Sequence, residues 1–255
     1  MMIGPATPAI VSGGASGLGA TVATALRERG VKVGILDMNE EAGQAFAADI
    51  GASFAQCDIS DAAAVSAALA KLRGMQGQER ICINCAGIAP AAKTVSRGAA
   101  HDPALYAKVV GVNLIGTFNV ATQSALGMST AEPLDEDDER GVIVNTASIA
   151  AYEGQMGQLA YASSKAGVVG LTLPMARDLA KSGIRVVAIA PGIFATPMVT
   201  GFPQEVQDAL AQTSEFPRRL GKPAEFAALA IHIAENTMLN GEVIRLDAAT
   251  RMQAK

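Results

Sequence analysis

The 255-residue sequence contains few charged residues: Asp, Glu, Lys and Arg make up 17% of it, against a usual share of about 25%. Hydrophobic residues make up 50%, which excludes an intrinsically disordered chain. The low charge is consistent with a surface that sister subunits partly cover. The net charge is −4, and no basic stripe of the kind that binds nucleic acid is visible. We therefore expect no nucleic-acid partner.

Cysteine is also scarce, and Cys57, Cys82 and Cys85 form an odd count that is typical of a reducing compartment. Cys82 and Cys85 match the C-x-x-C spacing, but residues three apart on a strand point to opposite faces. No second cysteine pair completes a zinc site. We therefore expect packed cysteines and no bound metal.

Signals for export or membrane insertion are missing as well. The first basic residue is Arg27, so the sequence lacks the charged start of a signal peptide and the Arg-rich character of a transit peptide. No apolar run approaches the ~18 residues of a membrane-spanning helix. These absences predict a cytoplasmic protein with no membrane partner.

What the sequence does contain is a regular alternation of β-like and helical segments. Strands are predicted at 9–12, 31–37, 53–57, 81–85, 142–148, 184–190 and 242–246. Helices are predicted at 18–29, 40–49, 61–73, 103–128, 158–181 and 222–235. This alternation predicts βαβ units around a seven-stranded parallel sheet, with helices on both faces because the strands are almost wholly apolar. No repeat or interdomain linker is visible, so residues 1–255 are predicted to form a single doubly wound, Rossmann-like α/β domain.

A glycine-rich loop joins the first predicted strand to the first helix. Its glycines follow the spacing G-x-x-x-G-x-G at Gly13, Gly17 and Gly19. Glycines let the backbone turn tightly and approach a diphosphate closely, and the N–H groups and dipole of the following helix favour an anion. The position between a strand and a helix makes a dinucleotide-binding loop the favoured interpretation.

Asp37 ends the second predicted strand, 18 residues after Gly19. A carboxylate there can accept hydrogen bonds from the ribose hydroxyls of adenosine, and it repels a 2′-phosphate, so we predict NAD rather than NADP. Asp58 follows the third strand, where it can meet the adenine amino group. The alternative for both acids is a role as a helix cap.

Tyr161 and Lys165 lie four residues apart in a predicted helix and therefore share one face. A nearby ammonium favours the phenolate of a tyrosine, whose usual pKa of about 10 is too high for a base near neutrality. Ser148 ends the fifth strand, 13 residues earlier, where its hydroxyl can hold a substrate oxygen. These three residues predict acid–base catalysis of a hydride transfer. The alternative is a surface Tyr–Lys pair on an amphipathic helix.

Further segments extend this pattern. Residues 84–87 read Asn-Cys-Ala-Gly, Asn113 stands in Val-Asn-Leu, and a Pro-Gly pair begins at Pro191. With the glycine loop and the Ser-Tyr-Lys set, they make the chain resemble the short-chain dehydrogenase/reductase family over essentially its whole length. The resemblance implies that Asn113 completes a catalytic tetrad and supports a water relay to the lysine. By position it implies NAD contacts from Gly13, Ser16, Gly17, Leu18, Gly19, Asp37, Asp58, Ile59, Cys85, Ala86, Gly87, Tyr161, Lys165, Pro191, Phe194 and Thr196.

Longer stretches narrow the resemblance to one branch of the family. Residues 84–89, 113–120, 141–150, 172–180 and 239–252 resemble the branch that oxidises (S)-3-hydroxyacyl-CoA to 3-oxoacyl-CoA with NAD in fatty acid metabolism. The same resemblance implies a homotetramer. The loops that border the substrate side agree less closely, so the acyl group that fits best stays open.

Residues 192–221 are predicted to form a lid over the substrate, with glycines as hinges. The alternative is a packed loop or a subunit contact. The apolar side chains of this segment that suit an acyl chain are Ile193, Phe194, Met198, Val199, Phe202 and Phe216. Gln158, three residues before Tyr161, is a candidate substrate contact beside Ser148 and Tyr161.

Other functions fit the same residues. A steroid or secondary-alcohol dehydrogenase would use the same catalytic set. A 3-oxoacyl-carrier-protein reductase is disfavoured because Asp37 opposes NADPH. A non-catalytic NAD-binding scaffold would keep the glycine loop, but it would not need the four residues of the tetrad, all of which are present.

Overall fold

Nine strands occur in the computed structural model, which describes residues 1–254. In chain order they are β1 (Ala9–Ser12), β2 (Val33–Asp37), β3 (Ser53–Gln56), β4 (Ile81–Asn84), β5 (Val95–Ser96), β6 (Ala99–Ala100), β7 (Gly141–Thr146), β8 (Ile184–Pro191) and β9 (Val243–Leu246). Strands β5 and β6 pair as a small antiparallel hairpin. The other seven form one sheet in the order β3-β2-β1-β4-β7-β8-β9, and all of its pairs are parallel.

The helices are α1 (Gly17–Glu28), α2 (Glu40–Ile50), α3 (Ala62–Gln76), α4 (Pro103–Val110), α5 (Thr117–Ser129), α6 (Leu159–Leu179), α7 (Pro197–Thr200), α8 (Gln204–Ala211) and α9 (Pro223–Glu235). A π-helical turn (Gly111–Gly116) joins α4 to α5. Short 3-10 turns lie at Ile149–Ala151 and Ala180–Ser182.

Helices cover both faces of the sheet. On one face α1, α2 and α9 bury a core that includes Leu26 and Phe226. On the other face α3, α5 and α6 pack around Leu69 and Met128. Every residue of β7 and β8 is buried, which explains why these strands are largely apolar without alternation. The predicted fold class, a doubly wound α/β domain with a seven-stranded parallel sheet, is confirmed.

One helical stretch, Pro103–Ser129, is long and apolar enough by length and composition to cross a membrane, although the sequence holds no uninterrupted apolar run of that length. In this fold the stretch packs against α3, α6 and strands β4 and β7. Buried residues such as Asn119 and Met128 anchor it there. A core helix of a globular domain can have the same length and composition. Part of this helical stretch is buried in the core.

The order of the strands reverses between β1 and β4, because the chain first builds outward to β3 and then returns to the other side of β1. Loops that leave neighbouring strands in opposite directions open a crevice at the carboxyl ends of those strands. This reversal therefore fixes where a ligand can enter the sheet.

Candidate active site

A cavity of about 690 Å³ occupies this crevice. The segments that follow β1, β2, β4, β7 and β8 all contribute to its walls. Sequence-predicted site residues that line it are Gly13, Ser16, Gly17, Leu18, Gly19, Asp37, Asp58, Ile59, Cys85, Ala86, Gly87, Ser148, Gln158, Tyr161, Lys165, Pro191, Phe194 and Thr196. Asn113 lies behind the wall and is fully buried.

The glycine loop has a backbone that only glycine adopts easily at Gly13. Its φ is +65°, and a Cβ built there would lie 2.6 Å from the backbone of Ala86. The loop therefore touches the segment after β4 directly. Ser16 precedes α1, and its side chain makes no capping hydrogen bond, so the first N–H groups of the helix stay available to an anion. This cradle fits the diphosphate of a dinucleotide.

Asp37 faces this loop from the end of β2. Its carboxylate accepts hydrogen bonds of 3.1 Å from the N–H of Ala15 and 3.0 Å from the N–H of Asn39. The residue that caps α2 is Asn39, whose side chain accepts from the N–H of Ala42. The alternative role of Asp37 as a helix cap is thus wrong. The carboxylate of Asp37 instead lies next to the glycine loop, where it binds the N–H of Ala15.

Asp58 lies two residues beyond the end of β3, which stops at Gln56, one residue earlier than predicted. One carboxylate oxygen of Asp58 accepts from the N–H and the hydroxyl of Ser60 at 2.9 and 2.7 Å. Asp61 caps α3 instead. Asp58 therefore fixes a turn along the cavity wall, and it is not the helix cap.

Tyr161 and Lys165 lie in the first two turns of α6 and share one face. The ammonium nitrogen of Lys165 is 5.9 Å from the centre of the Tyr161 ring, and it donates a 2.7 Å hydrogen bond to the carbonyl oxygen of Thr146. Lys165 is buried, and this burial lowers its pKa from 10.5 to about 8.

The pKa of Tyr161 differs from the expected direction. Burial raises it above its usual 10, and a hydrogen bond with Ser148 opposes this rise only in part. The lowering expected from a nearby ammonium is not seen among the protein groups, where burial of the phenol is the largest cause and raises its pKa. The Oγ of Ser148 also accepts from the N–H of Ala150 at 3.1 Å, which fixes its position.

Asn113 sits within the π-helical turn, a feature that is often found at functional sites. Its carboxamide accepts from the N–H of Ile88 at 2.8 Å and donates to the carbonyl oxygen of Ile88 at 2.9 Å. It also donates to Ser164 at 3.1 Å. A Cβ at Gly87 would lie 3.2 Å from the Asn113 Oδ1 and 3.6 Å from the Lys165 Nζ. The glycine thus leaves a small space between these two side chains.

Only part of the apolar set predicted for the substrate reaches the cavity. Ile193, Met198 and Val199 line it. Phe194 touches it as well, but its ring is buried and packs edge-to-face on Phe226 with 6.3 Å between ring centres. The prediction is wrong for Phe202 and Phe216, which are exposed and lie outside the lining. They sit on connections flanking α8, which turns them toward the surface.

Several lining residues were not predicted from the sequence. Thr146 supplies the carbonyl that holds Lys165, and Gln155, Leu210 and Met252 line the cavity from three separate segments. Gln155 shares a glutamine-rich loop with Gln158, a signal that was available in the sequence. Met252 lies 91 residues beyond Tyr161, and no local pattern marks it.

The three cysteines are free thiols. Cys82 and Cys85 belong to different core clusters, as expected for opposite faces of one strand. Burial raises the pKa of Cys85 to about 11. Within residues 1–254, no group of three or more His, Cys, Asp or Glu side chains is arranged to hold a metal ion.

The cavity therefore joins an anion cradle to a hydroxyl, a phenol and an ammonium. The model of the short chain dehydrogenase family matches residues 7–207 of this sequence. The chain belongs to the short-chain dehydrogenase family. The resemblance carried by the sequence motifs is thereby confirmed.

Relatives cover almost the whole chain. The 3-hydroxyacyl-CoA dehydrogenase type-2 of Homo sapiens is 49% identical over 249 residues, which are 96% of this chain and 95% of that protein. The protein of the same name from Bos taurus is 50% identical with the same coverage. The crystal structure of 3-hydroxyacyl-CoA dehydrogenase type-2 from Mycobacterium avium matches with a TM-score of 0.93 at 41% identity, over 100% of both chains.

This membership of the short-chain dehydrogenase family makes the protein an oxidoreductase that acts on CH–OH groups of a small molecule. It also implies a nicotinamide cofactor, and the glycine cradle and the carboxylate of Asp37 fit the two ends of such a dinucleotide's adenosine diphosphate half.

Proposed function

We propose that this enzyme oxidises (S)-3-hydroxyacyl-CoA to 3-oxoacyl-CoA with NAD as the oxidant. The observation that carries the proposal is the convergence of Ser148, Tyr161 and Lys165 on one cavity whose far end holds Asp37. Relatives at 49–50% identity named 3-hydroxyacyl-CoA dehydrogenase type-2 support the substrate class.

The choice of NAD rests on the charge of Asp37. Its carboxylate stands beside the glycine loop, and no basic side chain neighbours it in the sequence Leu-Asp-Met-Asn-Glu. A 2′-phosphate would meet this negative charge at close range, and juxtaposed like charges cost several kcal/mol. Asp58 and Ile59 contribute to the same end of the cavity.

In the proposed mechanism, the hydroxyl of Ser148 holds the substrate oxygen, and the phenol oxygen of Tyr161 accepts the proton of the substrate hydroxyl. The nicotinamide, when bound, supplies the hydride acceptor. Lys165 is held by the Thr146 carbonyl, and its positive charge favours the phenolate form of Tyr161, which accepts the substrate proton and thereby becomes the neutral phenol. Asn113 fixes the segment after β4 against α6 through Ile88 and Ser164.

The substrate arm of the cavity is proposed to hold the acyl group. Gln158 lines it one turn before Tyr161, and Met198 and Val199 come from α7 in the 192–221 segment. We propose that this segment acts as a lid. A fall in its protease sensitivity on addition of NAD and acyl-CoA is the expected result, and unchanged sensitivity would contradict a lid.

We further propose a homotetramer in the cytoplasm. Apolar side chains on α5 and α6 support the assembly, because Phe118 is 50% exposed, Leu126 is 65% exposed, and Leu159 and Leu173 are also exposed. Apolar surface concentrated on neighbouring helices marks an interaction face. The three free thiols fit a reducing compartment.

The test is NADH formation with (S)-3-hydroxybutyryl-CoA, compared with a steroid alcohol and with NADP in place of NAD. Turnover with NAD and the acyl-CoA is expected. Turnover with the steroid alone would show that the substrate is a steroid alcohol, and the proposed hydride transfer would stand. Tight NADH binding without any turnover would favour a non-catalytic scaffold.

A further inference from the structure

We propose that Met252 sets which acyl groups this enzyme accepts, by forming part of the wall of the substrate arm. This inference rests on the proposed function. Met252 is half-buried and lines the same cavity as Ser148, Tyr161, Gln155 and Gln158. It is the one lining residue from the described part of the chain beyond β9.

The contacts of Met252 place it on the substrate side. Its N–H donates to the carboxylate of Glu153 at 3.3 Å, and Glu153 lies between Ser148 and Tyr161 in the chain. Neighbouring residues repeat this pattern, since the N–H of Met156 donates to the carbonyl of Ala254 at 3.0 Å and the Gln155 side chain donates to the carbonyl of Gln253 at 3.1 Å. The dinucleotide end, marked by Asp37, is built from other strands.

An ion cluster holds this segment in place. Arg245 on β9 binds both carboxylate oxygens of Glu153 at 2.8 and 3.1 Å and donates to Asp247 at 2.7 Å. The guanidinium of Arg245 also donates a 3.0 Å hydrogen bond to the carbonyl oxygen of Thr250. Arg251 lies 3.3 Å from Asp247 and 3.7 Å from Glu153. Hydrogen bonds and ion pairs therefore hold the residues that precede and follow Met252 in the chain.

The side chain itself suits a selective wall. Methionine is apolar and flexible, and it fills irregular space against varied apolar groups. In an apolar pocket, each methylene that fits or is refused changes the specificity by roughly 10- to 200-fold. Removing the thioether arm therefore opens room for longer or branched acyl groups, whereas a larger ring in its place closes that room.

The experiment measures kcat/KM for (S)-3-hydroxybutyryl-CoA and for (S)-3-hydroxyoctanoyl-CoA with wild type, Met252→Ala and Met252→Phe. We expect the octanoyl-to-butyryl ratio to rise about tenfold in Met252→Ala and to fall in Met252→Phe. Met156→Ala is the matched control, because Met156 is 50% exposed, lies outside the cavity lining and binds the same segment only through its backbone.

The outcomes separate this inference from the proposed function. Wild type that oxidises neither acyl-CoA defeats the proposed function. Wild type that oxidises both, with ratios unchanged in both Met252 variants or shifted equally in Met156→Ala, overturns the role of Met252. NADH binding as tight as in wild type is expected for each variant and shows that the variants fold.

Discussion

The carboxylate of Asp37 accepts a 3.1 Å hydrogen bond from the backbone N–H of Ala15. This contact joins the end of β2 to the loop that runs from β1 into α1. It places a negative charge next to the glycine loop, where the 2′-phosphate of NADP would meet it. Cofactor choice in this enzyme can therefore be tested at a single side chain.

The variant Asp37→Asn is expected to raise the ratio of kcat/KM for NADP to that for NAD by at least about tenfold, because it removes a like-charge repulsion of several kcal/mol. Glu40→Gln is the control, since it removes the same charge on α2 from a side chain outside the cavity lining. Equal effects of the two variants would show that only the overall charge matters.

Gly87 gives a second prediction, about the space between Asn113 and Lys165. The variant Gly87→Ala puts a methyl group 3.2 Å from the Asn113 Oδ1, which is tighter than an ordinary contact, and 3.6 Å from the Lys165 Nζ, which is an ordinary contact. The Asn113 carboxamide must therefore shift slightly. We expect kcat to fall, by less than the ~100-fold that a full ångström of misplacement costs, because the required shift of Asn113 is smaller than that. Gly74→Ala, where nothing lies within 4 Å, should keep full activity, and a full-rate Gly87→Ala enzyme would rule out this effect.

The burial of Lys165 predicts how stability depends on pH. Its folded-state pKa of about 8 lies below the usual 10.5, so the unfolded chain binds more protons between these values and stability gained from this group rises with pH across that window. In urea unfolding, the stability of wild type relative to Lys165→Met should increase between about pH 8 and pH 10. The exposed Lys181, changed to Met, serves as the comparison, and a relative stability that falls with pH would refute the assignment.

The exposed apolar face on α5 predicts the effect of a charge on assembly. Phe118→Glu should lower the mass observed by sedimentation velocity from that of a tetramer to that of a smaller species, because a buried unpaired carboxylate is costly. Met75→Glu provides a matched change, since Met75 on α3 is an apolar side chain that is 60% exposed. A Phe118→Glu protein that sediments like wild type would contradict an interface at α5.

Much of the fold could be predicted from the sequence, because short apolar runs typical of buried strands alternate with stretches of helical spacing along the chain. Strand β1 lies where the sequence predicts it, and β2 begins two residues later than predicted, at Val33. The hairpin of β5 and β6 was not predicted, since two exposed two-residue strands carry no alternation that a pattern can show.

The site was predictable where local motifs carry it, as at Gly13, Tyr161 and Lys165. The site was not predictable where tertiary packing determines which side chains reach the cavity. Phe202 and Phe216 have the chemistry of substrate contacts but are exposed. Within that segment α7 has only 4 residues, too few to show a helical period, whereas α8 is amphipathic, a signal that was available in the sequence. Met252 reaches the cavity only because the ion cluster around Arg245 folds its segment back, and pairs so distant in sequence leave no local trace.

The most direct test of the account is the rate of NADH formation from NAD and (S)-3-hydroxybutyryl-CoA in wild type and Tyr161→Phe, with NADH binding measured for both. The account predicts that kcat falls by at least about 100-fold, the usual contribution of a general acid–base group, while NADH binds as in wild type. Tyr152→Phe, which keeps the ring that lies 5.2 Å from Arg245, should retain activity. A Tyr161→Phe enzyme that oxidises the acyl-CoA at the wild-type rate would contradict the proposed chemistry at its centre.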